Sequence, residues 1–105
     1  MSLPFSSADR RFFRDKAAEA AAMLRTLGHE QRLLVLCLLI AHDELSVSQL
    51  LDYVDLSQSA LSQHLARMRE DGLVSSRREA QTIYYRIADP RVEALVAALK
   101  RTFCP

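Results

Sequence analysis

The stretch that most constrains this chain is LSQSALSQHLARMREDGLV, residues 56–74, with REAQTIYYRI close behind it. Ser57 is placed to cap a helix, because its hydroxyl can accept from one of the first unpaired amides. Leu61, Leu65 and Met68 then recur at i, i+4 and i+7, a narrow apolar stripe. The other side carries Gln58, Ser59, Ser62, Gln63, Arg67 and Arg69, almost all hydrogen-bond formers. Gly72 stands where a helix end favours a residue free to take positive φ. A short helix of this kind suits the major groove, where Gln and Ser reach base edges and Arg reaches guanine or phosphate. The stretch predicts a recognition helix.

Its neighbours extend that reading. Upstream, Ser46 and Gln49 form a capping box that opens a helix over residues 47–53, with Val47, Leu50, Leu51 and Val54 on its apolar side. A three- or four-residue turn around Asp55 and Leu56 would join the two as a helix-turn-helix. The same pattern also describes an ordinary helical hairpin. Downstream, residues 73–78 and 82–87 are rich in β-branched and aromatic residues, and Thr82, Tyr84 and Arg86 alternate with Ile83, Tyr85 and Ile87. That alternation predicts a β-hairpin with residues 78–81 as its polar tip, a wing directly after the reading helix. Arg77, Arg78 and Gln81 would then meet phosphates or the adjacent minor groove, or else form a solvated charged loop.

Both ends of the chain read as amphipathic helices. After a loose arm over residues 1–7, one helix is expected over residues 8–27. Phe13, Ala17, Ala20, Leu24 and Leu27 form its seam, which describes core packing or a subunit interface, and Gly28 stops it. A second helix over residues 29–42 is apolar nearly all round, with Leu33, Leu36, Cys37 and Ile40 on one face, and so should be central. Asp89 caps a last helix with Pro90 in its first position and Val92, Leu95, Val96, Leu99 and Phe103 as its stripe. The expected fold is mainly α with a small β-hairpin, a winged helix-turn-helix in the order α-α-α-α-β-β-α. It is one domain over residues 1–105, with the helix-turn-helix at 46–71, the wing at 73–87 and a dimerisation helix at 89–104. A homodimer through the first and last helices would place two reading helices about 34 Å apart on one face of an imperfectly palindromic duplex.

Totals add limits more than direction. The 105 residues are half hydrophobic and a quarter charged, which describes a globular chain. Net charge is only +1, so no bulk basicity announces nucleic acid; residues 56–86 hold five Arg against Glu70, Asp71 and Glu79. No apolar run approaches the roughly 20 residues that span a bilayer, and MSLPFSSADRR is no secretory leader, so a cytoplasmic protein without a membrane partner is expected. Cys37 and Cys104 are too few for a disulfide scaffold or a zinc finger. In a reducing compartment such a pair is either inert packing or a switch.

The order of elements, together with ELSVSQL and LSQSALSQHLARMREDGLV, resembles the ArsR/SmtB family of winged-helix regulators over nearly the whole chain. The resemblance implies a homodimeric DNA-binding repressor that releases or reshapes its operator when an inducer arrives. Many members sense metals, and here the chain departs from them. Ser46 and Ser48 stand where arsenic-type members carry thiols, and hydroxyls are poor substitutes for soft ligands. Asp89 remains of the zinc-type set, but Arg91 and Glu93 follow it without a histidine. His29, His42 and His64 lack a second ligand at i+3 or i+4, and each reads as a surface or packing residue. No metal or other cofactor is expected.

What the resemblance implies instead is a pair of sensing cysteines. Cys37 and Cys104 match those of a subgroup that responds to oxidants or reactive sulfur species, by disulfide or by persulfide and polysulfide modification. From the residues alone, Cys37 in LLVLCLLI equally describes a buried small hydrophobe. Lys100 and Arg101 mark Cys104 as the more reactive thiol. Other readings are a constitutive or unusually metal-linked regulator, a dimeric interaction module and a small thiol oxidoreductase. The last has no C-x-x-C and no His beside either cysteine, so no enzyme is expected.

Overall fold

The computed structural model describes residues 6–104, and the start of the expected N-terminal arm, residues 1–5, lies outside them. The arm is shorter than expected, because Ser6 already caps helix α1 (Ser7–Asp15). Its hydroxyl accepts from the Asp9 amide and the Asp9 carboxylate accepts from the Ser6 amide, both at 3.1 Å. The single first helix expected is in fact two. At Lys16 the backbone leaves helical geometry (φ −123°, ψ −14°), and α2 (Ala17–Leu27) starts afresh. No residue of α1 is buried.

Helix α3 (Glu30–His42) is central, as its all-round apolarity demands. Its deepest side is Val35, Leu36 and Leu39, each at most 1% exposed, while Leu33, Cys37 and Ile40 pack half-buried around the core. The core face is therefore turned somewhat from the one read off the sequence. Asp43, with φ +66°, turns the chain into a two-residue strand β1 (Leu45–Ser46) that the sequence did not suggest.

Ser46 then caps α4 (Val47–Leu51) through the expected capping box: the Gln49 amide donates to its hydroxyl at 3.1 Å, and its own amide donates to Gln49 Oε1 at 2.8 Å. Helix α4 is shorter than expected and the turn longer, covering residues 52–57. Helix α5 (Gln58–Glu70) runs as predicted. Its end is a Schellman motif, with Gly72 N–H donating to Arg69 O and Leu73 N–H to Met68 O. Gly72 takes φ +76° there, and both Met68 and Leu73 are buried.

Strands β2 (Val74–Glu79) and β3 (Thr82–Ile87) pair antiparallel, with Glu79 opposite Thr82, so the tip is only Ala80 and Gln81 rather than residues 78–81. Strand β1 adds to the other edge of β3 through Leu45–Tyr85 and Ser46–Tyr84, giving the sheet order β1-β3-β2. Asp89 accepts from the Arg91 amide to open α6 (Pro90–Phe103), with Pro90 in its first turn. The core gathers Leu61, Leu65 and Met68 of α5, Leu50 of α4, Leu36 and Leu39 of α3, and Val92 and Val96 of α6. The molecule is mostly helical with a small three-stranded antiparallel sheet, a winged helix-turn-helix. Among the described residues no helix is long and apolar enough to cross a membrane.

Candidate nucleic-acid interface

The apolar stripe of α5 fixes which way the helix faces. Leu61, Leu65 and Met68 are wholly buried, so the helix lies on the core by that side and turns the other outward. Gln58, Ser59, Ser62 and Gln63 are all exposed, and their side chains make no hydrogen bond to other described residues. Two amides and two hydroxyls thus converge on one unoccupied face near the helix start. Ser57 is exposed too, but its hydroxyl accepts from the Ala60 amide at 3.1 Å and serves the cap.

The arginines of α5 and the wing are more engaged. Arg67 donates to Asp71 at 3.2 Å, toward the C-terminal end of α5. Arg69 donates to Ser76 at 3.2 Å and so ties helix to wing, a role that no local sequence pattern marks. Arg77 grips Glu44 with two nitrogens, at 2.9 and 2.8 Å, and Glu79 with a third at 2.8 Å. Its guanidinium also lies 4.4 Å from the centre of the Tyr84 ring. The bond from Arg77 holds the Glu44 carboxyl below the usual range. Arg78 donates from Nε to Ala80 O at 3.0 Å and braces the tip, where Ala80 sits at φ +57°. Gln81 is exposed at that tip. The structure therefore brings Gln58, Ser59, Ser62 and Gln63 together as free groups. It places Arg67 and Arg77 in ion pairs within the fold, leaving Arg78 and Gln81 at the wing's outer end.

A further contact links α5 to α3. Arg32 donates from Nε to His64 Nδ1 at 3.0 Å, and the His29 ring stands edge-on to His64 with centroids 4.5 Å apart. Burial lowers the pKa of His64, and the nearby charges of His29 and Arg32 lower it further. Neutral His64 is thus the acceptor for Arg32. Asp71, at the C-cap of α5, accepts from Thr26 of α2, which is only 4% exposed.

The two cysteines come together at a second place. Cys37, half-buried on α3, and Cys104, exposed just past α6, line one apolar pocket of about 230 Å³ with Leu33, Val96, Leu99 and Phe103. Lys100 also lines it, and both thiols are free. Ser46, one of the two serines at which the resemblance would place a metal-binding thiol, is occupied as the α4 cap. Asp89 is occupied as the α6 cap and as partner to Arg91 at 2.8 Å.

A family profile described as "Bacterial regulatory protein, arsR family" matches residues 29–76, from the start of α3 into β2. The chain is 47% identical to the HTH-type transcriptional regulator YgaV of Escherichia coli K12 over 89 residues, 85% of this chain and 90% of that one. It is equally identical, over 88 residues, to the transcriptional activator HlyU of Vibrio cholerae, covering 84% of this chain and 81% of HlyU. The fold superposes on reduced HlyU from Vibrio cholerae with a TM-score of 0.82 at 43% identity, over 90% of this chain and 99% of that one. The transcriptional repressor BigR from Xylella fastidiosa gives 0.84 at 38% identity, over 91% and 97%. With its wing, its helix-turn-helix and these likenesses spanning most of its length, the chain belongs to the ArsR family of bacterial transcriptional regulators.

Proposed function

We propose that the chain is a homodimeric DNA-binding regulator whose operator affinity is set by the chemistry of Cys37 and Cys104. In this reading Gln58, Ser59, Ser62 and Gln63 of each α5 read base edges in successive major grooves of an imperfect palindrome. Arg78 and Gln81 reach the backbone or minor groove beside them. Arg67 and Arg77 hold the head in shape through their ion pairs with Asp71, Glu44 and Glu79.

The observation that carries the switch is the shared pocket of the two thiols. One wall is α3 of the core and the other is α6, so a link between them would tie a terminal helix to the centre of the molecule. With peroxide, two thiols give up two protons and two electrons to form a disulfide, and the peroxide leaves as two waters. With a hydropolysulfide, a thiolate takes its terminal sulfane sulfur to form a persulfide, and a polysulfide one sulfur shorter departs. The apolar lining favours neutral sulfur chains over charged ones. Fixing α6 shifts the population of dimers toward one spacing of the two reading heads. Relatives named activator and repressor both match the chain, and the proposed device is compatible with either sign of regulation.

Fluorescence anisotropy on the promoter fragment next to the gene tests this. Reduced protein should bind with an affinity that falls steeply with salt. Treatment with polysulfide or peroxide should change it by about ten-fold or more, a shift of 1.4 kcal/mol. Cys37→Ser and Cys104→Ser should each abolish the response. Equal affinity of treated and untreated protein would remove the switch while leaving the DNA binding to stand.

A further inference from the structure

Four arginines gather at a place that DNA reading does not use. Between α2, α3, α6 and the C-terminal end of α5 lies a cleft of about 330 Å³, within the usual range for small-molecule sites of about 300–1,000 Å³. Arg25, Arg32, Arg67 and Arg91 line it against only two carboxylates, Glu19 and Asp71, a local excess of two positive charges. Arg91 is consumed by Asp89 and Glu19. Arg25 makes no hydrogen bond or ion pair with the described residues; Arg32 and Arg67 each commit Nε alone, to His64 and Asp71. One whole guanidinium and the Nη groups of two more thus remain as unfilled donors at one cleft.

Guanidinium forks of this kind match carboxylate and phosphate oxygens two at a time. We propose that the cleft binds a small polyanion, with two or more negative charges on carboxylate or phosphate oxygens, held by Arg25, Arg32 and Arg67. The reading residues run from Gln58 to Gln63 in the first half of α5, while the cleft meets that helix only at Arg67 and at its C-cap Asp71. The ligand is therefore an effector rather than part of the operator. It acts on the angle of the reading helix, because Asp71 accepts from Thr26 on α2 and from Arg67 on α5. An anion that draws Arg67 away leaves the Asp71 carboxylate to Thr26 alone and so changes the contact by which α5 meets α2.

Isothermal titration of the DNA-free protein with citrate and with inorganic phosphate, at ionic strength matched by chloride, tests the site. Saturable binding of either supports it, and the one that binds tells carboxylate from phosphate recognition. Arg25→Gln/Arg32→Gln should weaken that binding by about ten-fold or more, the loss expected for charge-assisted bonds. Arg25→Gln alone, at an exposed residue without partners, should weaken it while leaving the melting temperature in place. No saturable heat with either anion, or unchanged binding in Arg25→Gln, overturns the proposal. So does a double variant that loses affinity only for random duplex, since the cleft would then be meeting DNA phosphate.

Discussion

At the scale of single residues, two side chains of the same head are expected to fail differently. Gln63 is free and exposed, so Gln63→Ala should cost about 1–3 kcal/mol on the operator and relax sequence preference there. Arg77 is bound on three sides by Glu44, Glu79 and the Tyr84 ring. Arg77→Ala should weaken operator and random duplex alike. Glu44→Gln tells why: loosening the wing alone leaves the salt dependence unchanged, whereas loss of a phosphate contact by Arg77→Ala lowers the salt slope by about one. If Glu44→Gln reproduces Arg77→Ala in every respect, Arg77 is a brace only. His64 gives a pH test. Its pKa lies below the ordinary 6.5 in the fold, so unfolded chains take up the proton first as pH falls. Stability is full above about pH 6.5 and declines below it until the folded group also titrates. His64→Gln should flatten that decline in melting temperature between neutral and mildly acid pH, and an unchanged decline would place its cause elsewhere. The free amides were legible in sequence because a 3.6-residue period sorts inner from outer residues. Partners 32 and 33 positions apart, His64 with Arg32 and Arg77 with Glu44, left no local trace.

At the scale of elements, local signals were dependable where they close within a few residues. The caps at Ser46, Ser57 and Asp89 and the stop at Gly72 stand where the sequence put them, because each is made by bonds spanning two to five residues. Strand β1 was invisible for the opposite reason. Two residues carry no period, and their only strand partner, β3, lies about forty positions away. The bend at Lys16 was hidden as well, since the alanine-rich seam runs through it without glycine or proline. Gly72 provides the element-scale prediction. A Cβ there would meet nothing within 4 Å, so a substitution is penalised by its backbone alone. Gly72→Ala should therefore cost about 1–2 kcal/mol, the strain of an L residue at φ +76°. Urea unfolding should show a lower midpoint with an unchanged slope. A neutral substitution would mean the Schellman end gives way to another turn at no cost.

At the scale of the whole molecule, the isolated chain is not the shape of a finished domain. Its radius of gyration is 16.3 Å, against about 13 Å for a compact chain of this length, and it extends 58 Å along its longest axis. The excess goes with α1, which buries nothing, and with large apolar side chains left in the open. Phe12, Phe13, Leu24, Leu99 and Phe103 are among them, and all lie on α1, α2 and α6. Phe12, Met23, Leu24 and Leu95 line an apolar groove of about 420 Å³ between these same helices. A groove and protruding aromatic residues on one surface can cover each other across a twofold axis, where each copy fills the other. Leu24, 59% exposed in the lone chain yet part of the groove, is the residue that separates the cases. Leu24→Asp puts a charge where the partner should seat and changes nothing inside the core. Sedimentation equilibrium should give a dimer for the native chain and a monomer for Leu24→Asp, with a melting temperature falling only for the native chain on dilution. Operator affinity should collapse in the variant because one head makes half the contacts, while weak binding to random duplex persists. A Leu24→Asp protein that still sediments as a dimer would move the twofold axis away from these helices, and with it the spacing of the two reading helices on the duplex.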